Sequence, residues 1–352
     1  MRTLINNGWE FAECAPGFAA EAVLGMSETM PNGDAPLFRP VDIPHDWMIT
    51  NVNDLYRSSV GLYRRTLTLD ASRANSVFFE GVYMRTTVYL NGEKIFFWPY
   101  GYTSFEVDLT PYQKQGENVL LIHVDYRSPN TRWYSGAGIF RDVWLLSKDP
   151  VHIPEGGVYV HAEPVTETGN PSGEDTTVRN GMPFRITIDT EVTASEDAAV
   201  EVCHVLKDAD GTIVATSASS DIREAGVPLL NSSDPNRVLN TQVLNLDGAT
   251  CWDIDNPYLY TLESSVRCCG TVRDSGTQRI GLRTIRFTPD EGFFLNGRHI
   301  KINGACMHHD LGALGAAFNR KAAKRQLEKL KGLGINAIRT SHNTPAVGLM
   351  EL

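Results

Sequence analysis

No run in the 352 residues approaches the ~18 apolar residues that a membrane helix needs, which excludes a helical membrane span. The opening residues, Met1-Arg2-Thr3-Leu4-Ile5-Asn6-Asn7-Gly8-Trp9, also lack the apolar core and small-residue cleavage site of a secretory signal. The expected location is therefore the cytoplasm, or the periplasm or cell exterior if the N-terminus is incomplete. Positive charge is in short supply: 32 basic side chains face 42 acidic ones, and the net charge of −10 opposes phosphate backbones. Nucleic acid is not an expected partner. Cysteine is scarce too, with Cys14, Cys203, Cys251, Cys268, Cys269 and Cys306 forming no C-x-x-C pair. A metal cage or a small disulfide framework needs regular spacing, so neither is expected. Cys268 and Cys269 would alternate faces on a strand and are poorly placed for each other. Free thiols in a reducing compartment fit this usage.

What is present reads as β-structure. At ~100–200 residues per domain the length gives two or three domains. Over residues 1–149 short alternating runs recur with turn signals between them, as in sandwiches and jelly rolls. Gly61–Leu69 alternates with Leu67 and Leu69 on one face, and Val77-Phe78-Phe79 and Thr87–Leu90 are β-rich. Asn91-Gly92 supplies the positive φ angles of a tight hairpin returning through Glu93–Trp98, and Val119–Val124 reads as a buried strand. No convincing long helix occurs in this part.

Asp149-Pro150 to Pro154 marks a boundary into a second all-β stretch, residues 150–285. Phe184–Ile188 and Val200–Cys203 alternate, and Asp208-Ala209-Asp210-Gly211 turns between Val205-Leu206 and Ile213-Val214. Size and strand count suit an immunoglobulin-like sandwich. The polar segments 162–182 and 218–240 read as long loops. The grammar changes over residues 286–352. A hairpin at Asn296-Gly297 runs on into Gly304-Ala305-Cys306-Met307, and Asn319 caps a helix over Arg320–Leu333 with Ala323, Leu327 and Leu330 on one face. Gly334 ends it, and Asn336–His342 follows as a strand. Strand, helix and strand make a βαβ unit of a parallel sheet or a (β/α) barrel. Gly304–Leu352 holds 49 residues against about 250 for a complete (β/α)8 barrel, so roughly two of eight strands are expected.

Six strings in register resemble glycoside hydrolase family 2, particularly its β-galactosidase branch. They are Ile43-Pro44-His45-Asp46-Trp47, Gly101–Phe105, Arg132–Trp144, Asn256–Tyr260, His308-His309-Asp310-Leu311-Gly312 and Arg339-Thr340-Ser341-His342. The resemblance covers essentially the whole chain in the family's order: jelly-roll sugar-binding domain, immunoglobulin-like domain, opening of the catalytic barrel. It implies retaining hydrolysis of terminal β-linked galactose by two glutamates about 5–5.5 Å apart, one acid/base and one nucleophile. In the family those glutamates sit on later barrel strands, which would fall beyond Leu352. The acids after His309 are Asp310, Glu328 and Glu351; Glu328 is on the helix's polar side and Glu351 in the next helix. The expectation is an N-terminal portion that carries part of a sugar site, is inactive alone, and implies no cofactor and no metal.

Resemblance and position together nominate the site residues. His308 and His342 close the two expected strands at their carboxyl ends, where barrel active sites are built. The family's histidines there bond sugar hydroxyls and the developing charge; the plainer alternative is two satisfied polar residues at strand ends. His309 faces the other way and is expected to be structural. Arg339 resembles the arginine that holds the nucleophilic carboxylate ionised; without that partner it is a strand-end arginine facing water. Arg132 and Trp133, with Tyr134, sit on the loop that in the family reaches the active-site mouth, and serve either sugar contact or interdomain anchoring. Asp310 is either a sugar-hydroxyl acceptor or a strand-end cap, and His45-Asp46-Trp47 is expected to pack. Cys306-Met307 replaces an Asn-Arg pair of other branches, and Asn343-Thr344-Pro345 replaces a Tyr-Pro, so contacts made by those residues are not carried over. The six basic residues of the helix read as a solvated face.

Two alternatives stay open: a non-catalytic carbohydrate-binding module, and a β-glucuronidase or β-mannosidase relative. The coding sequence beyond Leu352 discriminates the first, since an Asn-Glu and a later Glu restore the enzyme. The βαβ unit is also expected to be the least protected part, from about residue 304 onward. Its unpaired strand edges offer self-association through the incomplete barrel.

Overall fold

Alternation sets the first long ladder. Ser59–Leu69 and Gly116–Tyr126 pair antiparallel over their full lengths, from Ser59 against Tyr126 to Leu69 against Gly116. Period-two apolar positions on both strands then face one side together. The structure, a computed structural model, describes residues 1–24, 36–165, 178–194, 199–222, 227–228 and 236–352. The chain forms two compact units, Met1–Ser147 with Asn303–Leu352, and Lys148–Ile302.

In the first unit a six-stranded sheet runs in the order Arg39–Val41, Trp9–Cys14, Ser59–Leu69, Gly116–Tyr126, Thr86–Leu90 and Glu93–Trp98. A four-stranded sheet, Arg2–Leu4, Val143–Lys148, Ala74–Phe79 and Phe105–Asp108, faces it across one core. This is the jelly-roll sandwich. Phe11, Tyr63, Leu120 and Ile122 of the larger sheet meet Val77, Phe79 and Val107 of the smaller, and Trp9 and Trp47 are fully enclosed. Each such side chain contributes about 1.5–3 kcal/mol of burial. The Asn91-Gly92 hairpin stands as expected, with φ of 53° and 89°.

Residues 303–352 open a (β/α) barrel. Gly304–Met307 and Ala337–Thr340 pair in parallel, Cys306 opposite Arg339 and Met307 opposite Thr340. Helix Arg320–Gly332 connects them: Asn319 Oδ1 accepts from the Ala322 N–H at 3.0 Å, and Gly334 turns the chain at φ 81°. Its basic residues are exposed, as expected of a solvated face. The expectation of a segment without packing partners did not include the sandwich. Phe318 N–H donates to Phe140 O at 2.9 Å, and the buried Arg141 donates through Nη2 to Thr344 O at 2.6 Å. These bonds join residues more than 170 positions apart, so the strand pair rests on the sandwich and not on barrel neighbours. Among the described residues no helix is long and apolar enough to cross a membrane.

The second unit is the immunoglobulin-like sandwich. Phe184–Ala194 pairs with Arg237–Leu246 and Val158–Pro164 in one sheet, and Val200–Lys207 lies between Ile213–Ala218 and Tyr260–Cys268 in the other. Ile285–Thr288, Gly292–Leu295 and Arg298–His299 form a small third sheet. Parts of the long loops expected at 162–182 and 218–240, residues 166–177, 223–226 and 229–235, lie outside the described residues. None of the six cysteines forms a disulfide; Cys268 ends a strand inside and Cys269 is exposed beyond it at φ 52°.

A polar layer divides this core. Phe184, Ile186, Ile188, Leu206 and Leu262 make one apolar cluster, and Val192, Val200, Val202 and Val266 another. On the same strands, between them, lie Thr190, His204 and Ser264, all buried. His204 shares hydrogen bonds with Thr190 Oγ1 (3.2 Å, Nε2) and Ser264 Oγ (2.9 Å, Nδ1). Burial pushes its pKa from 6.5 down to about 4. The unfolded chain therefore binds a proton that the folded chain refuses between these values, so stability is full above pH 6.5 and falls as pH drops towards 4. The expected loss is about 3 kcal/mol at most. Urea unfolding of the wild type and His204→Leu at pH 7.5 and 4.5 checks it: the variant should show a smaller pH dependence, and equal dependence rules this histidine out.

Candidate functional site

The parallel register fixes what leaves the strand ends. Cys306 pairs with Arg339 and Met307 with Thr340, and both strands end there, so His308 and His342 lie just beyond the two strand ends, where strand alternation no longer fixes their direction. Their ring centroids are 5.6 Å apart. The loop before Gly138–Ile139 brings Trp133 over both, 5.0 Å from the His342 ring and 6.0 Å from His308. Trp133 is held from behind, its indole N–H donating to the Tyr102 hydroxyl at 3.2 Å. A flat apolar ring beside two imidazoles suits a sugar, whose C–H faces pack on the ring while its hydroxyls bond the nitrogens.

Asp46 fixes the loop against the barrel segment. Its side chain is 1% exposed and caps the turn Trp47–Thr50. Oδ1 accepts from Met48 N–H and Ala137 N–H, both at 3.0 Å; Oδ2 accepts from Tyr134 O–H at 2.6 Å and Ala316 N–H at 2.8 Å. One carboxylate thus joins the first β-segment, the Trp133 loop and the approach to the helix. Two glycines make room for it. A Cβ on Gly136 or Gly315 would stand 2.6 or 2.3 Å from Oδ2, and both have positive φ, 66° and 59°. Burial first, then the Asp46 charge and hydrogen bond, push the Tyr134 hydroxyl far up, so it remains a donor.

The other expected residues divide. His309 turns back into the sandwich, its Nε2 3.0 Å from Ser135 O and its ring against Tyr102 and Phe140, with burial lowering its pKa. Arg339 is exposed, its Nη1 3.3 Å from Ser341 Oγ and 3.8 Å from Cys306 Sγ. Hydrogen bonds from Ser341 and Arg339 lower the thiol's pKa. Desolvation lowers the pKa of His342, followed by the charges of Arg339, His308 and Arg132. Arg132 and Arg339 therefore act on the cluster through their fields. Asp310 acts electrostatically on Tyr134 and His309.

Among the acids after His309, Glu328 stands 3.1 Å from Lys324 on the exposed helix and Glu351 pairs with Arg320. Only Asp310 remains near the strand ends, so these residues hold no second carboxylate for a double displacement. Among the described residues no group of three His, Cys, Asp or Glu side chains is placed to hold a metal ion.

Sequence reasoning passed over Tyr100, Tyr102 and Arg141. Tyr100 O–H donates to Asn343 Oδ1 at 2.7 Å, so it supports the loop after His342. The signal was present, since both tyrosines fall in or beside the Gly101–Phe105 string and Arg141 lies within the Arg132–Trp144 string.

Comparison with known proteins gives the family of the chain and of each of its segments. A family model described as "Glycosyl hydrolases family 2, sugar binding domain" matches residues 5–150. "Glycosyl hydrolases family 2" matches residues 174–283 and "Glycosyl hydrolases family 2, TIM barrel domain" residues 287–352. Beta-galactosidase BoGH2A of Bacteroides ovatus is 42% identical over 90% of this chain, which covers 36% of that protein. A beta-glucuronidase of Bacteroides fragilis is 27% identical over 99% of the chain, which covers 47% of it. The crystal structure of a glycosyl hydrolase family 2 member from Bacteroides cellulosilyticus superposes with a TM-score of 0.82 at 28% identity, over 99% of this chain and 46% of that one. The chain spans less than half the length of each of these relatives.

Proposed function

The chain belongs to glycosyl hydrolases family 2, and on that premise we propose that its Trp133–His308–His342 cluster binds the terminal β-linked galactose that the whole protein hydrolyses with retention. The observation that carries this reading is the meeting of the three rings at the carboxyl ends of the parallel strands. Galactose is chosen over glucuronic acid because the 42% identical relative is a β-galactosidase, while the β-glucuronidase is 27% identical. His308 and His342 bond sugar hydroxyls beside the scissile linkage, and Asp310 accepts another. Trp133 is the platform and Arg132 its rim. Arg339 holds the nucleophilic carboxylate ionised, as a bidentate guanidinium can. Residues 1–149 serve as the sugar-binding sandwich, 150–285 as the immunoglobulin-like domain and 286–352 as the opening of the barrel.

The 352-residue chain by itself should bind and not hydrolyse, because Asp310 stands alone where two glutamates are needed. The test has two parts on the purified chain. Nitrophenyl β-galactoside should give no turnover above blank, and turnover that tracks the protein through purification overturns the inactivity. Methyl β-galactoside should shift the Trp133 indole resonance, and no shift at saturating sugar overturns the site.

A further inference from the structure

The rim of this site carries charge of one sign. Arg132 is exposed immediately before Trp133 on the mouth loop. Among the described residues no carboxylate pairs with it. It lines an open recess of about 350 Å³ with Pro129, Asn130, Thr131 and Trp133, none of them acidic. Ligand pockets occupy about 300–1,000 Å³, so the recess is large enough to be one. The same polarity extends inward: the guanidinium groups of Arg339 and Arg132 both act on His342. Asp310 acts on Tyr134 and His309 instead. This concentration is not a consequence of composition, since the chain carries a net charge of −10. Its strength is local, because a field is focused where a concave surface gathers like charges.

We propose that Arg132 is a specificity-determining residue that pairs with an anionic substituent, carboxylate or sulfate, on the sugar packed against Trp133; this rests on the sugar-binding reading above. A guanidinium presents a planar fork of donors that matches two oxygens of either group. A neutral sugar leaves that fork to water. An exposed pair of this kind gives a modest gain, and salt weakens it.

The experiment measures binding of three ligands to the full chain by titration of the Trp133 indole resonance at low and high salt: methyl β-galactoside, methyl β-galacturonide and methyl β-galactoside 6-sulfate. The expected result is about three- to tenfold tighter binding of an anionic ligand at low salt, shrinking at ~0.5 M salt. Arg132→Gln, a change at an exposed position, should bring the ratio of anionic to neutral affinity to one. Preference for the uronide alone assigns a carboxylate, and for the sulfate ester alone a sulfate. Equal binding of all three by the wild type, or a preference that persists in Arg132→Gln, overturns the proposal. Trp133→Ala, read by calorimetry, separates the two levels of inference. If it abolishes neutral-sugar binding while the wild-type ratio is one, the sugar site stands and the anion preference falls. If no ligand binds the wild type, both readings fall.

Discussion

Asp46→Ala is expected to destabilise the first unit by about 3–5 kcal/mol, the range found when a buried, fully bonded charge is removed from its partners. The wild-type carboxylate receives four donors, three of them backbone N–H groups, in a site that is 1% exposed. Alanine leaves all four without an acceptor, and each buried donor left unpaired costs about 1–3 kcal/mol unless water reaches it. The positive-φ glycines at 136 and 315 lose the contact that their conformation serves. The damage should be local before it is global, because the four donors come from the turn at Met48, the Trp133 loop and Ala316. Urea unfolding measures the total. Hydrogen exchange at the amides of Met48, Ala137 and Ala316 measures the location. A loss under about 1 kcal/mol with unchanged exchange at all three amides would remove Asp46 from its role as the tie. Asp46→Asn offers a graded comparison: it keeps one acceptor oxygen but turns an N–H₂ towards two donors, so its loss should lie between wild type and alanine.

Local pattern made most elements legible. The ladder of Ser59–Leu69 with Gly116–Tyr126, the Asn91-Gly92 hairpin and the helix between Asn319 and Gly334 each depend on residues within a few positions of one another. His204 shows where that kind of reading ends. The alternation Val200, Val202, His204, Leu206 places it inward, but its partners Thr190 and Ser264 lie on other strands, and nothing local announces a polar layer between two apolar clusters. The docking of residues 303–352 is more remote still. Asp46 and Ala316 are 270 positions apart, so the expectation of an unprotected segment followed from considering barrel neighbours alone. The candidate site's members were nominated through the resemblance, and their arrangement was not legible in the sequence. Trp133 carried two open roles, sugar contact or interdomain anchor, and the sequence did not show that its ring lies 5.0 Å from His342 and 6.0 Å from His308. Alternation along the expected strand separates His309 from His308, and in the structure His308 lies by the Trp133 ring while His309 bonds Ser135 O.

In any longer polypeptide that carries these residues and hydrolyses β-galactosides, His308→Ala and His342→Ala are each expected to lower kcat/KM by ~100-fold or more, about 2.7 kcal/mol of transition-state stabilisation. Desolvation and the surrounding cations hold His342 below its ordinary pKa of 6.5, so at pH 7 its ring is neutral and offers one donor and one acceptor. A hydroxyl whose hydrogen bond strengthens as charge develops at the linkage exploits that pair better than a cation would. Loss of either ring also frees Trp133 on one side, which loosens the platform for the sugar. The neighbouring His309 supplies the contrast that tells chemistry from packing. It is mostly buried against Tyr102 and Phe140 and bonded to Ser135 O, so His309→Ala should lower the unfolding midpoint while leaving kcat/KM of the folded fraction within a fewfold of wild type. His342→Ala, at an exposed position, should do the opposite. Kinetics on the three variants, each corrected for folded fraction by circular dichroism, decide between these assignments. A loss under threefold at both His308 and His342 would move the two rings from the reacting sugar to the packing of the loop.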